Sequence, residues 1–217
     1  MVSTAFRDAL ATTASCCTIL QFLAGILVCQ KIVKKGTTGE TSGLAFVTCF
    51  MSCSLWLLYG ILKNDSFIVL VNVFGTSLQL SYTFVFILYS VKKSVVIKQF
   101  AVAICFVTAM YMYSFSEPDK ALATKWTGLL SCGLTIIFFA SPLTMLAHVM
   151  KVKSAEGLPF PVITASLIVS CLWFIYGCIQ DDPFIKIPNF LGSILSAFQL
   201  SLFVIYPGKK SDQIRLV

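Results

Sequence analysis

Along the chain, apolar residues come in long continuous runs, and charged residues gather in the short gaps between them. Seven runs stand out, near Ala9–Gln30, Leu44–Leu62, Ser66–Ser90, Val95–Ser114, Leu122–Val149, Leu158–Ile179 and Phe184–Tyr206. Each is long enough to cross the ~30 Å hydrocarbon layer as a helix, which takes about 20 residues. The runs lack the ten-residue alternation of a membrane barrel. The pattern therefore predicts an all-α polytopic membrane protein with seven transmembrane helices. The first run has no marked basic segment before it and belongs to an internal repeat, so it is read as a span rather than a signal peptide.

The repeat is visible by eye. Residues 55–75 read LWLLYGILKNDSFIVLVNVFG and residues 172–192 read LWFIYGCIQDDPFIKIPNFLG, identical at 9 of 21 positions with a constant offset of 117. Ala24-Gly25 in the first run aligns with Ser141-Pro142 in the fifth at the same offset. TSGLAF at 41–46 resembles AEGLPF at 155–160, with the offset shortened to 114. Runs 1–3 and 5–7 are two copies of one three-helix unit, and run 4 has no counterpart. Three spans invert the chain, so one extra span restores parallel orientation of the copies. The expected organisation is 3+1+3: a first bundle over 1–91, a linker helix within 92–120, a second bundle over 121–207, and a tail over 208–217.

Composition agrees with the pattern. Of the 217 residues, 58% are hydrophobic and 12% charged, with a mean hydropathy of +0.90; that charged share is about half of what soluble domains carry. With the N-terminus placed outside, eleven of the sixteen basic residues fall on inner segments, which the positive-inside rule favours. The same placement puts the 208–217 tail in the cytoplasm. The net charge of +7 is thus a topology signal, and no basic patch with groove-reading partners suggests nucleic acid. All nine cysteines lie in apolar runs without a CxxC pair, and His148 is the only histidine. Small-hydrophobe roles are expected for the cysteines, with no metal site and no cofactor. No nucleophile–base set can be assembled, so an enzyme is not expected.

The doubled segment carries the candidate chemistry. Trp56 and Trp173 fall about six residues inside the outer ends of their runs, roughly 9 Å deep, and Asn72 and Asn189 lie at similar depth on the following runs. Interfacial Trp residues sit at the headgroups, and these are deeper. An Asn in hydrocarbon is costly unless paired or wet. One could be interhelical glue; two at symmetric positions fit a shared polar cavity better. Asn offers both a donor and an acceptor to a polar solute, and Trp offers a flat apolar face. No Asp or Glu lies well inside a run, whereas proton-coupled carriers usually place an ionisable group at the midplane. Facilitated diffusion of a neutral solute is expected. Asp65 and Asp182 read most simply as solvated loop charges. Asn64-Asp65-Ser66 is formally a glycosylation sequon, but its loop is too short and too near the membrane for modification to be expected.

The paired LWxxYG…D…N..G segments and KSAEGLPFP at 153–161 resemble the SWEET family of sugar transporters over about residues 9–207, with an animal-like short tail and Ala-Gly in the first helix. SWEETs are themselves a known example of parallel repeats related by an axis along the membrane normal. The resemblance implies bidirectional uniport of a mono- or disaccharide, glucose or a similar hexose first, by alternating access. It implies a sugar site formed by Trp56, Asn72, Trp173, Asn189 and Ser52; the repeat partner of Ser52 is Val169, so the halves differ there. It implies an outer gate of Tyr176 and Asp182, with Tyr59 the first-half twin. Family members carry a proline in each of helices 1, 2, 5 and 6, where this chain has Gly25, Ala45, Pro142 and Pro159. Gly25, Pro142, Pro159 and Pro188 are therefore the expected hinges, with more bending in the second half. The plasma membrane is the expected site, with the Golgi as second choice. The pore lies within one chain, so a homo-oligomer is not required, though family members often associate. A PQ-loop transporter lacks its Pro-Gln here, a seven-helix receptor lacks DRY and NPxxY, and a membrane adaptor remains as the non-transporting alternative.

Overall fold

The computed structural model describes residues 3–39 and 42–207. The expected 208–217 tail therefore lies outside the described residues. Among the described residues eight helices follow in order: α1 Thr4–Lys35, α2 Leu44–Lys63, α3 Ser66–Tyr89, α4 Lys93–Ser116, α5 Lys120–Phe138, α6 Ala140–Val152, α7 Phe160–Ile179 and α8 Pro183–Ile205. Together α5 and α6 form one span, so among the described residues seven spans are long and apolar enough to cross a membrane. There is no strand among the described residues. The all-α, seven-span expectation holds.

By internal packing the chain divides into two units, residues 1–134 and 135–217. This division falls inside α5, later than the repeat boundaries expected at 91 and 121. The reason is local to the α4–α5 hairpin. The Lys120 ammonium donates to the carbonyls of Ser114 (3.3 Å), Phe115 (3.3 Å) and Glu117 (3.0 Å), satisfying the open C-terminal end of α4. Ser114 and Thr127, both fully buried, share a hydroxyl hydrogen bond of 3.1 Å, so the first part of α5 is tied to α4. The Tyr111 hydroxyl in turn donates to the Ser54 carbonyl of α2 at 3.1 Å.

In the first unit α3 packs against both α1 and α2, and α4 packs on α2. Its apolar core joins Ile32, Val47, Phe50, Phe86, Val96, Phe100 and Ala103. In the second unit α7 packs along α8, and a core of Leu146, Val149, Ala155, Leu158, Ile163 and Leu202 closes the opposite end. Large apolar side chains such as Leu27, Leu88, Val102 and Val204 stay exposed. That is uneconomic in water and natural against lipid tails.

The prolines account for where helices end. Pro142 has no N–H to give to the Phe138 carbonyl, and its ring crowds that group. The fifth span is accordingly interrupted at Phe139, whose N–H turns back to the Ile136 carbonyl at 3.0 Å. Pro188 lies inside α8, which continues through it. Pro159 departs from expectation: it is the N-cap of α7, outside the helix, so its missing N–H removes no intrahelical bond. α1 runs unbroken through Gly25.

Candidate functional site

The repeated YG…D stretch folds into the same turn twice. At the end of α2, Asn64 takes a left-handed conformation (φ 55°) and Asp65 caps α3, its carboxylate accepting from the backbone N–H of Phe67 (3.0 Å) and Ile68 (3.1 Å). At the end of α7, Asp181 (φ 47°) and Asp182 repeat this, the Asp182 carboxylate accepting from Phe184 (3.0 Å) and Ile185 (3.4 Å). The backbone N–H of Asp65 reaches the Gly60 carbonyl and that of Asp182 reaches the Gly177 carbonyl, each at 2.9 Å. Both aspartates are thus N-caps whose charge meets the positive helix end. Asp182 is 1% exposed, which corrects the reading of that residue as a solvated loop charge.

Glycine is required on the helix side of each turn. A Cβ on Gly60 would come 2.9 Å from Ile68 Cγ2 and 3.0 Å from the Val69 nitrogen; one on Gly177 would come 2.8 Å from the Lys186 nitrogen. The helices therefore meet backbone to backbone just beyond the turn, which sets their separation for the residues deeper in.

Those residues are the expected sugar-handling side chains, one Trp and one Asn in each unit. Trp56 and Asn72 lie about 10 Å and 9 Å along their helices from the turn, Trp173 and Asn189 each about 9 Å, at 1.5 Å per residue. Trp56 meets Tyr59 edge to face, with ring centroids 5.5 Å apart and planes at 89°, and Trp173 meets Tyr176 with the same two values. Tyr59 and Tyr176 are each 1% exposed and act as fixed walls that orient the indoles. Asn72 Nδ2 donates to the Ile68 carbonyl at 2.9 Å, and Asn189 Nδ2 to the Ile185 carbonyl at 2.8 Å. Each amide is thereby held by one N–H, while its oxygen and second N–H remain capable of further bonds. Ser52 lies one turn before Trp56 on α2 and is half-buried.

The copies differ below the Asn. Ser193 donates to the Asn189 carbonyl at 2.8 Å and receives the Cys171 thiol at 3.6 Å. Its repeat twin Thr76 has a buried Oγ1 without a hydrogen-bond partner. Pro188, beside Asn189, replaces Val71 beside Asn72. No group of three or more metal-ligating side chains occurs among the described residues.

Comparison with known proteins gives the two copies one name. The family model described as "Sugar efflux transporter for intercellular exchange" matches twice, at residues 8–94 and 125–211. The chain belongs to the SWEET family. The two matched stretches are again 117 residues apart and leave most of α4 between them, which is the 3+1+3 organisation. The chain is similar to sugar transporter SWEET1 of Drosophila pseudoobscura pseudoobscura, 44% identical over 92% of this chain and 89% of that protein. It is 31% identical to mouse SWEET1 over 92% of this chain and 91% of the relative. It is also 31% identical to the bidirectional sugar transporter SWEET1 of Arabidopsis thaliana, over 88% and 80%. A solved eukaryotic SWEET transporter superposes with a TM-score of 0.84 at 27% identity, covering 93% of this chain and 98% of the other. The SWEET chain is thus a multi-pass membrane protein, and its relatives are transporters rather than enzymes.

Proposed function

We propose that this SWEET protein carries glucose or a similar hexose across the membrane in either direction, down its gradient. Trp56, Trp173, Asn72, Asn189 and Ser52 handle the sugar. The observation that carries this reading is the duplicated Trp–Tyr and Asn–carbonyl geometry. Each copy sets an indole perpendicular to a Tyr and holds an Asn by one N–H, supplying an aromatic ring and a side chain that can both donate and accept. A pyranose presents the complement: a C–H face and a rim of hydroxyls that both donate and accept.

The placement of the acids supports uniport. Asp65 and Asp182 are committed to helix N-termini, and Asp8 pairs with Arg7 at 2.7 Å in the second turn of α1. No described Asp or Glu stands midway along a span, where a proton carrier would need one. The Arabidopsis relative is named a bidirectional transporter, in keeping with a carrier that has no built-in driving ion. Tyr59, Tyr176 and Asp182 are assigned to the outer gate; the positive-inside pattern favours an outer N-terminus, and the plasma membrane is the proposed location. Radiolabelled glucose uptake in cells lacking hexose transporters tests the proposal. Uptake should appear with the wild-type chain and vanish in Trp56→Ala and Asn189→Ala at equal surface expression. Equal uptake by wild type and both variants would refute the site.

A further inference from the structure

We infer that Tyr82 is a latch on the first helix: its hydroxyl holds α1 straight at Phe22–Gly25, and its release sets the rate at which α1 bends during transport. The inference rests on the transport reading above for its consequence, and on geometry for its existence.

The geometry begins with the repeat. A Cβ on Gly75 would meet Cys53 Sγ at 2.7 Å and the Phe22 ring at 2.7 Å; one on Gly192 would meet Ser170 Oγ at 2.9 Å and the Phe139 ring at 3.4 Å. Cys53 and Ser170 are 117 residues apart, and so are Phe22 and Phe139, so these positions are equivalent in space within their own units. In the second unit the helix is broken at Phe139 because Pro142 follows. In the first unit the equivalent stretch, Phe22 to Gly25, is continuous helix.

Tyr82 of α3 occupies this place. Its hydroxyl donates to the Phe22 carbonyl at 3.1 Å, a carbonyl that also stands in the α1 ladder opposite the Ile26 N–H. Its ring lies flush on α1, since a Cβ on Gly25 would run into the ring, 2.8 Å from Cδ2 and closer to Cε2. Tyr82 is 4% exposed, so its side chain is held against α1 rather than turned outward. Gly25 is therefore a notch cut to admit the Tyr82 ring, besides being a flexible residue. The repeat equivalent of Tyr82 is Gln199, and that of Gly25 is Pro142. Thus the half without the proline has the aromatic latch, and the half with the proline lacks it.

Tyr82 touches no proposed sugar ligand in its described hydrogen bonds and acts through α1, so it is a positioning residue. Removing its hydroxyl leaves the Phe22 carbonyl with its ladder partner, so Tyr82→Phe should fold normally. The test is hydrogen–deuterium exchange over residues 22–28 of the full chain in lipid nanodiscs, paired with glucose flux kinetics. Tyr82→Phe should exchange about fivefold faster in that segment, the factor worth one buried neutral hydrogen bond. It should also at least double Vmax with KM unchanged. Tyr111→Phe, which loses a like bond to the Ser54 carbonyl, should leave exchange at 22–28 unaltered. A second variant checks the notch: Gly25→Ala should lower thermal stability in the wild-type background and be tolerated alongside Tyr82→Ala. Unchanged exchange in Tyr82→Phe would overturn the latch, and faster exchange with unchanged Vmax would overturn its role in transport. If the wild-type chain moves no sugar, the transport reading fails, and the exchange data still decide whether the latch exists.

Discussion

Gly177→Ala tests whether the doubled turn is a backbone-to-backbone contact. Two terms oppose each other. Replacing a helical Gly by Ala gains up to about 1 kcal/mol of backbone entropy. The new Cβ, however, would lie 2.8 Å from the Lys186 nitrogen and 3.1 Å from its Cα, and neither atom can swing aside as a side chain can. The ends of α7 and α8 must then separate, against the 2.9 Å bond from the Asp182 N–H to the Gly177 carbonyl. Overpacking of this kind costs about 1–3 kcal/mol, so against a gain of about 1 kcal/mol the clash leaves a net loss of up to about 2 kcal/mol. Gly133 of α5 supplies the control, because a Cβ there meets nothing within 4 Å and only the entropy gain remains. At about 2–4 °C per kcal/mol for a chain this size, Gly177→Ala should melt several degrees below wild type. Gly133→Ala should melt at or above it. Thermal unfolding of the purified protein in detergent, followed by Trp fluorescence, reads both. Equal or higher melting of Gly177→Ala would refute the close contact.

Further predictions address the caps, the break and the site. Asp182→Ala should destabilise by about 1 kcal/mol, whereas Asp182→Asn should retain most stability because Asn caps as well as Asp; the same melting assay distinguishes them. Pro142→Ala should restore the N–H facing the Phe138 carbonyl, so hydrogen exchange near Phe139 should slow, and sugar flux should fall if that break is used in the cycle. Trp173→Phe should keep part of the flux through its remaining apolar face, while Trp173→Ala should lose nearly all of it, read as uptake normalised to surface protein.

Much of this was legible in the sequence, because membrane spans and repeats are periodic signals that survive without knowledge of packing. The seven runs lie within a few residues of the helical spans. The depth of Trp56 and Asn72 followed from counting along straight helices. The N-caps were harder to read: Asp65 and Asp182 sit where a loop charge would also sit, although Asp followed by a fresh apolar run is the ordinary cap signal. The apolar run begins at Leu158 and so places Pro159 inside a helix, whereas the backbone becomes helical only at Phe160. Pro142 marks a weak point in the fifth span, and the helix is interrupted at Phe139, since a proline disturbs the carbonyl four residues earlier. Tyr82 was invisible, because nothing in its neighbours marks a residue whose partners, Phe22 and Gly25, lie some 60 positions away. The Gly25 notch became meaningful only once that ring was in place.

The central claim is sugar uniport through the duplicated Trp/Asn set. Purified protein in liposomes, given labelled glucose on either side, tests it most directly. Label should equilibrate from both directions, stop at equal concentrations and ignore a protonophore, and the flux should be lost in Asn72→Ala and Asn189→Ala. Accumulation of glucose above the external concentration, or flux that survives both Asn variants, would contradict it.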